Sequence, residues 1–224
     1  MKKAKAIIFD FNGTLFWDTE MHSEAWIKFS TTIRDKPLSN EEMKLLIGKN
    51  NKTTLEYIKG SPVTKEELKN WSDQKETCYR EICLNDKKNL HLAPGAEELL
   101  EYLKQNDIPR AIASMAGEDN MKFYQEVFNL TKWFPPENII YDTGDIPGKP
   151  DPAIYLKAIH TLGVAPEDCV IVEDSANGIE AAHRSGASVV FAIGPKEKHE
   201  ELTKLPGVTK AISNFTEIDH SIFH

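Results

Sequence analysis

Three short apolar runs, each closing on polar residues, set the main pattern along this chain. Ala6-Ile7-Ile8-Phe9 ends at Asp10, Ala111-Ile112-Ala113 at Ser114, and Val170-Ile171-Val172 at Glu173-Asp174. Each leads into a helical or loop segment rather than a hairpin turn. Continuous apolar runs of this length, separated by helical stretches, predict strands buried on both faces of a parallel sheet. Residues 138–141 and 188–192 predict two more. Between them, Pro94-Gly95 opens a helix carrying Leu99, Leu100 and Leu103. Asp151-Pro152 supplies an N-cap and a proline at the first helical position, and Ser175 caps a helix over 176–185 that Gly186 stops. Ligands bind beyond the carboxyl ends of such strands, where the strand order reverses. The polar residues at the three strand ends are therefore expected to converge.

Residues 18–89 follow another period. Met21, Ala25, Trp26, Phe29 and Ile33 form a helical stripe, and Leu68, Trp71, Cys78 and Ile82 continue a second helical face. Ser39-x-x-Glu42 and Thr64-x-x-Glu67 have the form of capping boxes. No strand-like run interrupts them. The expected organisation is a doubly wound α/β core from residues 1–17 and 90–224, with residues 18–89 inserted as an all-helical cap. Trp26 and Trp71 read as core of that cap.

Composition narrows the classes. Across 224 residues, 40% are hydrophobic and 28% charged, as in an ordinary globular protein, and the net charge is −8. That balance argues against nucleic acid or an anionic membrane as partner. No apolar stretch approaches the ~20 residues that span a bilayer, and the start is too poor in apolar residues for a signal peptide. A cytoplasmic monomer is expected. Cys78, Cys83 and Cys169 lack metal-type spacing and read as reduced, buried thiols.

An acidic chain that gathers carboxylates at one place needs local cations to offset its own field. Asp10 stands at a strand end, Gly13 lets backbone approach a ligand, and Thr14 adds a hydroxyl and an N–H. Asp174 brings a second carboxylate, and two carboxylates with backbone carbonyls suit Mg²⁺. Lys149, held between Gly148 and Pro150, can neutralise negative charge there.

Asp10-Phe11-Asn12-Gly13-Thr14-Leu15 resembles the nucleophile motif of the haloacid dehalogenase (HAD) superfamily. Gly148-Lys149-Pro150-Asp151-Pro152-Ala153-Ile154-Tyr155 resembles the lysine motif of its subfamily I, and Val170-Ile171-Val172-Glu173-Asp174-Ser175-Ala176-Asn177-Gly178-Ile179 its acidic metal motif. Ser114 matches the phosphate-binding serine. The helical insert lies where the β-phosphoglucomutase-like branch has its cap, and Asp18-Thr19-Glu20 with His22 is typical of how that cap begins. The resemblance implies a Rossmann-like core and an aspartyl-phosphate formed on Asp10. It implies Mg²⁺ held by Asp10, the carbonyl of Asn12 and Asp174, with Glu173 beside the metal. Thr14, Ser114 and Lys149 would hold phosphoryl oxygens, and Asn177 would be structural. A small phosphorylated metabolite or sugar is the implied substrate, with the residues 48–52 loop, His22, Lys49 and Lys52 as candidates for contacting it.

Asn12 departs from the family, whose phosphatases and phosphomutases carry an aspartate there as acid/base. Asparagine keeps the main-chain carbonyl but cannot exchange a proton, a function worth about 10²–10⁴-fold. Three readings stay open: a silenced, phospho-ligand-binding pseudophosphatase, an introduced substitution, or recruitment of another group such as His22. A sugar phosphomutase is also open. Its usual lysine and arginine for a second phosphate are replaced here by Ile47 and Asn51, which favours a phosphatase.

Overall fold

The computed structural model describes residues 3–46 and 49–223. In chain order the principal elements are β1 (Ala6–Phe9), α1 (Thr19–Ser30), α2 (Asn40–Leu46), α3 (Asn51–Lys59), α4 (Lys65–Asn85), α5 (Ala96–Gln105), β2 (Arg110–Gly117), α6 (Glu118–Val127), β3 (Ile139–Asp142), α7 (Ala153–Leu162), β4 (Cys169–Glu173), α8 (Ala176–Arg184), β5 (Val189–Ile193), α9 (His199–Leu202) and β6 (Val208–Ile212). The chain divides into two compact units, one of Met1–Trp17 with Leu92–His224, the other of Asp18–His91.

The first unit is built on a six-stranded sheet in the order β3-β2-β1-β4-β5-β6, with every neighbouring pair parallel. This is the doubly wound arrangement. From β1 the chain builds outward through β2 and β3, then returns to add β4, β5 and β6 on the other side, so the order reverses at β1 and β4. Central strands β1 and β4 are buried throughout, which requires the uninterrupted apolar runs seen in sequence. One face of the sheet packs Ile8, Ile171 and Val190 against Ile154, Ala158 and Ile179 from α7 and α8.

Local signals act largely as expected, with small shifts. Ser175 accepts the Gly178 N–H at 3.1 Å and starts α8, while Gly186 adopts φ +85 beyond its end. Asp151 Oδ1 accepts the Ala153 N–H, but Pro152 stays outside α7, one residue later than expected. Strand β2 runs on to Gly117, so Ser114 lies within it, beside a register irregularity against β3. The half-exposed edge strand β6 was not anticipated, because Val208-Thr209-Lys210-Ala211-Ile212 has only two buried residues.

The second unit contains α1–α4 and, among its described residues, no strand. Both capping boxes form. Ser39 and Glu42 exchange hydrogen bonds at 2.7 and 3.2 Å, and Thr64 and Glu67 do so at 2.8 and 3.1 Å. Trp26, Phe29, Leu38, Met43, Leu46, Leu55 and Ile58 make its core, with Trp71 partly buried against them. The buried face of α4 differs from the expected stripe: Lys75, Tyr79, Ile82 and Cys83 are inside, and Cys78 is only half-buried. Asn50 caps α3 by accepting the Thr53 N–H, which places Asn51 and Lys52 on a helix. Ile47 and Gly48 lie outside the described residues.

Candidate active site

Asp10 follows β1 and Asp174 follows β4, on neighbouring strands at the reversal, and the Asp10 N–H donates to Val172 O at 3.0 Å. Carboxylate oxygens of Asp10, Glu173 and Asp174 lie within 4.8 Å of one another. Lys149 reaches this cluster from the loop before α7. Its Nζ donates to Asp10 Oδ1 and to Glu173 Oε1, each at 2.6 Å. The loop has a cis Lys149–Pro150 bond, and Arg184 donates to Pro150 O at 2.9 Å from α8.

Glycine makes this crowding possible at two places. At Gly13, φ is +79 and an added Cβ would lie 2.4 Å from Asp174 Oδ2. At Gly178, a Cβ would lie 1.6 Å from Glu173 Oε1. Thr14, fully buried, donates from Oγ1 to Asp174 Oδ1 at 3.1 Å. Glu173 Oε2 accepts the Ser175 N–H at 2.7 Å and the Ser175 hydroxyl at 3.1 Å.

The electrostatics follow from three acids and one base out of water. Burial, then Glu173 and Asp10, push the Asp174 carboxyl well above the usual aspartate range. Burial opposes the charge on Lys149, yet Asp10 and Glu173 together hold its pKa well above the ordinary lysine value. The ammonium therefore stays charged while the cluster keeps an excess of acid. An all-oxygen donor set with uncompensated negative charge fits a hard divalent cation such as Mg²⁺.

Asn12 lies on the turn after Asp10. Its Nδ2 donates to Tyr124 Oη at 2.8 Å and its Oδ1 accepts from Ser114 Oγ at 3.4 Å. Asp10, Asn12, Thr14, Ser114, Lys149, Glu173 and Asp174 are thus gathered in the sheet-bearing unit. Two aromatic residues in their surroundings were not foreseen. Tyr124 is one. The other is Tyr155, fully buried, whose ring centroid is 4.8 Å from Lys149 Nζ. Tyr155 belongs to the lysine motif, whereas nothing in the sequence marks Tyr124.

His22, Lys49 and Lys52 belong to the helical unit, and both lysines are exposed. His22 is wired there. Nε2 lies 3.2 Å from Asp18 Oδ2, Nδ1 lies 2.8 Å from Lys75 Nζ, and the ring stacks on Tyr79 at 3.8 Å. Tyr79 donates to the same Asp18 oxygen at 2.5 Å. Lys75, 2% exposed, also pairs with Glu76 at 2.9 Å and lies over the Trp26 ring. A lysine in a helical stripe gave no sign of burial. Among the described residues, no helix is long and apolar enough to cross a membrane.

Comparison with known proteins gives a consistent set of relatives. A phosphorylated carbohydrates phosphatase of Thermotoga maritima is 27% identical over 193 residues, 84% of this chain and 85% of that one. The β-phosphoglucomutase of Bacillus subtilis is 29% identical over 195 residues, covering 85% and 82%. The crystal structure of a HAD hydrolase, family IA, variant 3, from Entamoeba histolytica superimposes with a TM-score of 0.91 at 35% identity, covering 97% of this chain and 96% of that chain. Residues 4–186 match the model of the haloacid dehalogenase-like hydrolases. With the motifs in order on a doubly wound sheet, the chain belongs to the haloacid dehalogenase-like hydrolase family, in the phosphatase and phosphomutase branch of subfamily I.

Proposed function

We propose that this chain is a Mg²⁺-dependent phosphomonoesterase acting on a small phosphorylated metabolite, in the class of phosphorylated carbohydrates. The observation that carries this reading is the convergence of Asp10, Glu173, Asp174 and Lys149 at the ends of β1 and β4. The names of relatives such as the Thermotoga phosphatase support the substrate class. Asp10 is the nucleophile: a carboxylate oxygen attacks phosphorus, the ester oxygen departs, and water then hydrolyses the aspartyl-phosphate. Lys149 neutralises the phosphoryl oxygens, which Thr14 helps to hold. Asp10, Asp174 and the Asn12 carbonyl would hold Mg²⁺, with Glu173 alongside; when bound, the ion neutralises charge that builds on the transferring group. The helical unit, with His22, Lys49 and Lys52, is assigned to substrate choice.

Asn12 supplies no proton to a departing alkoxide. Alkyl phosphates should therefore turn over slowly and aryl phosphates less so. A phosphate-ester screen with Mg²⁺, run beside Asn12→Asp, tests this. The substitution should raise alkyl-phosphate hydrolysis by about 10²-fold or more. Asp174→Ala should abolish Mg²⁺ binding and phosphate release together. Because Asn12-Gly13 is prone to deamidation, intact-mass analysis must show the amide in the parent sample. Fully amidated protein as fast as Asn12→Asp would refute a proton-transfer role for residue 12. A second reading, a phospho-ligand binder without turnover, draws on the same Asn12. It predicts ligand-induced stabilisation and no phosphate release from any ester.

A further inference from the structure

Asn12 cannot move a proton, but the groups around its amide define what it can still do. Nδ2 donates to the Tyr124 phenol at 2.8 Å, while Oδ1 accepts from Ser114 Oγ at 3.4 Å. Tyr124 is fully buried on α6. Its ring stacks on Phe11 with centroids 4.5 Å apart and meets Phe16 edge-on at 6.2 Å. A phenol packed between two aromatic rings is a rigid hydrogen-bond partner. Ser114 faces the other side at this longer distance. Its Oγ already accepts the Ala116 N–H at 3.1 Å, so its single proton is suited to donation toward a carbonyl oxygen. An amide turned round would lose that match.

We infer that Tyr124 is a positioning residue that holds the Asn12 amide with its carbonyl edge toward Ser114, so that Asn12 acts as a fixed hydrogen-bond acceptor for the water that dephosphorylates Asp10. The inference rests on the phosphatase reading above. In that step the water oxygen forms a bond to phosphorus and the bond from phosphorus to the Asp10 oxygen breaks. Asp10 leaves as a carboxylate with the electron pair, and the proton of the water passes to a phosphoryl oxygen of the departing phosphate. The Asn12 carbonyl orients the water without taking its proton. A side-chain amide does the same in enzymatic GTP hydrolysis, where a glutamine orients the attacking water.

The experiment uses the whole chain with Mg²⁺ and p-nitrophenyl phosphate, rapid acid quenching, and intact mass to follow the phosphorylated fraction. Tyr124→Phe keeps the ring and its packing and removes only the hydroxyl. It should slow decay of the phosphorylated protein about fivefold to tenfold, the effect of one lost orienting hydrogen bond, and leave its formation within about twofold. Asn12→Ala should slow decay similarly, and the double variant should lose no more than Asn12→Ala alone. A thermal melt checks that each variant is folded. Unchanged decay in Tyr124→Phe, equal slowing of formation and decay, or additive losses in the double variant would overturn the inference. If the parent chain itself never forms a phosphorylated protein, the phosphatase reading fails first and this inference falls with it.

Discussion

Replacing Gly178 with alanine sets helix propensity against packing at the charge cluster. Gly178 is the third residue of α8, and glycine to alanine inside a helix ordinarily gains about 1 kcal/mol. Here the new Cβ would lie 1.6 Å from Glu173 Oε1 and 2.0 Å from its Cδ, so the carboxylate has to move. Glu173 is 1% exposed, and the displaced oxygen is the one that pairs with Lys149 at 2.6 Å. Its other oxygen leaves the Ser175 N–H and hydroxyl. Overpacking costs about 1–3 kcal/mol, and loosening charged hydrogen bonds costs about 1.5–3 kcal/mol more. Packing therefore wins, and Gly178→Ala should lower stability by about 1.5–5 kcal/mol. Urea unfolding of the parent and variant measures the difference. Gly163→Ala provides the comparison within the same unit: φ is +65 and nothing lies within 4 Å of the added Cβ, so only the backbone penalty of about 1 kcal/mol remains. A Gly178→Ala protein as stable as the parent would mean that Glu173 does not sit beneath the first turn of α8.

Two further outcomes are expected. The Arg34 guanidinium, reaching both Glu42 oxygens at 2.8 Å, and the Ser39 N–H pull the Glu42 carboxyl down to about 2. A depressed acid contributes stability above its unfolded value of about 4.3 and loses it as pH falls toward the folded one. Acid unfolding of the helical unit should thus lose steepness below about pH 4.3 in Glu42→Gln, and an NMR titration of Glu42 with an ordinary glutamate midpoint would refute this. Burial pushes the Cys83 and Cys169 thiols up to about 12, whereas Cys78 is raised but half-buried. Iodoacetamide should label Cys78 first, as read by peptide mapping, and equal labelling of Cys169 would contradict the burial argument.

The sheet was legible because burial on both faces leaves a simple mark. Only consecutive apolar residues can fill β1 and β4, and the polar residue that breaks each run is the one at the carboxyl end. Strand order then brings Asp10 and Asp174 together across more than half the chain. Where burial is one-sided the mark fades, which is why β6, with Thr209 and Lys210 exposed, escaped notice. Lys75 was hidden for a related reason. Helical periodicity places a residue on a face but does not say that a charged one can be buried there. The ring nitrogen of His22, Glu76 and the Trp26 face together make burial tolerable, and they come from distant or unremarkable positions.

Asn12 marks the boundary between identity and arrangement. Its identity alone establishes that this side chain transfers no proton, since no environment makes an amide titrate at ordinary pH. What the amide can do instead depends on which of its edges faces Ser114, and residue type says nothing about that. The answer comes from Tyr124, 112 residues away on α6, and from Ser114 on β2, whose hydroxyl is oriented by the Ala116 N–H. An aspartate at position 12 would have to accept from the same phenol that now accepts from Asn12, reversing the direction of one buried hydrogen bond. A hydroxyl can make that change by rotating, so the surroundings suit either residue. The substitution is therefore a change in chemistry that the packing around Phe11, Phe16 and Tyr124 does not resist, and Asn12→Asp should fold as well as the parent while differing from it in rate.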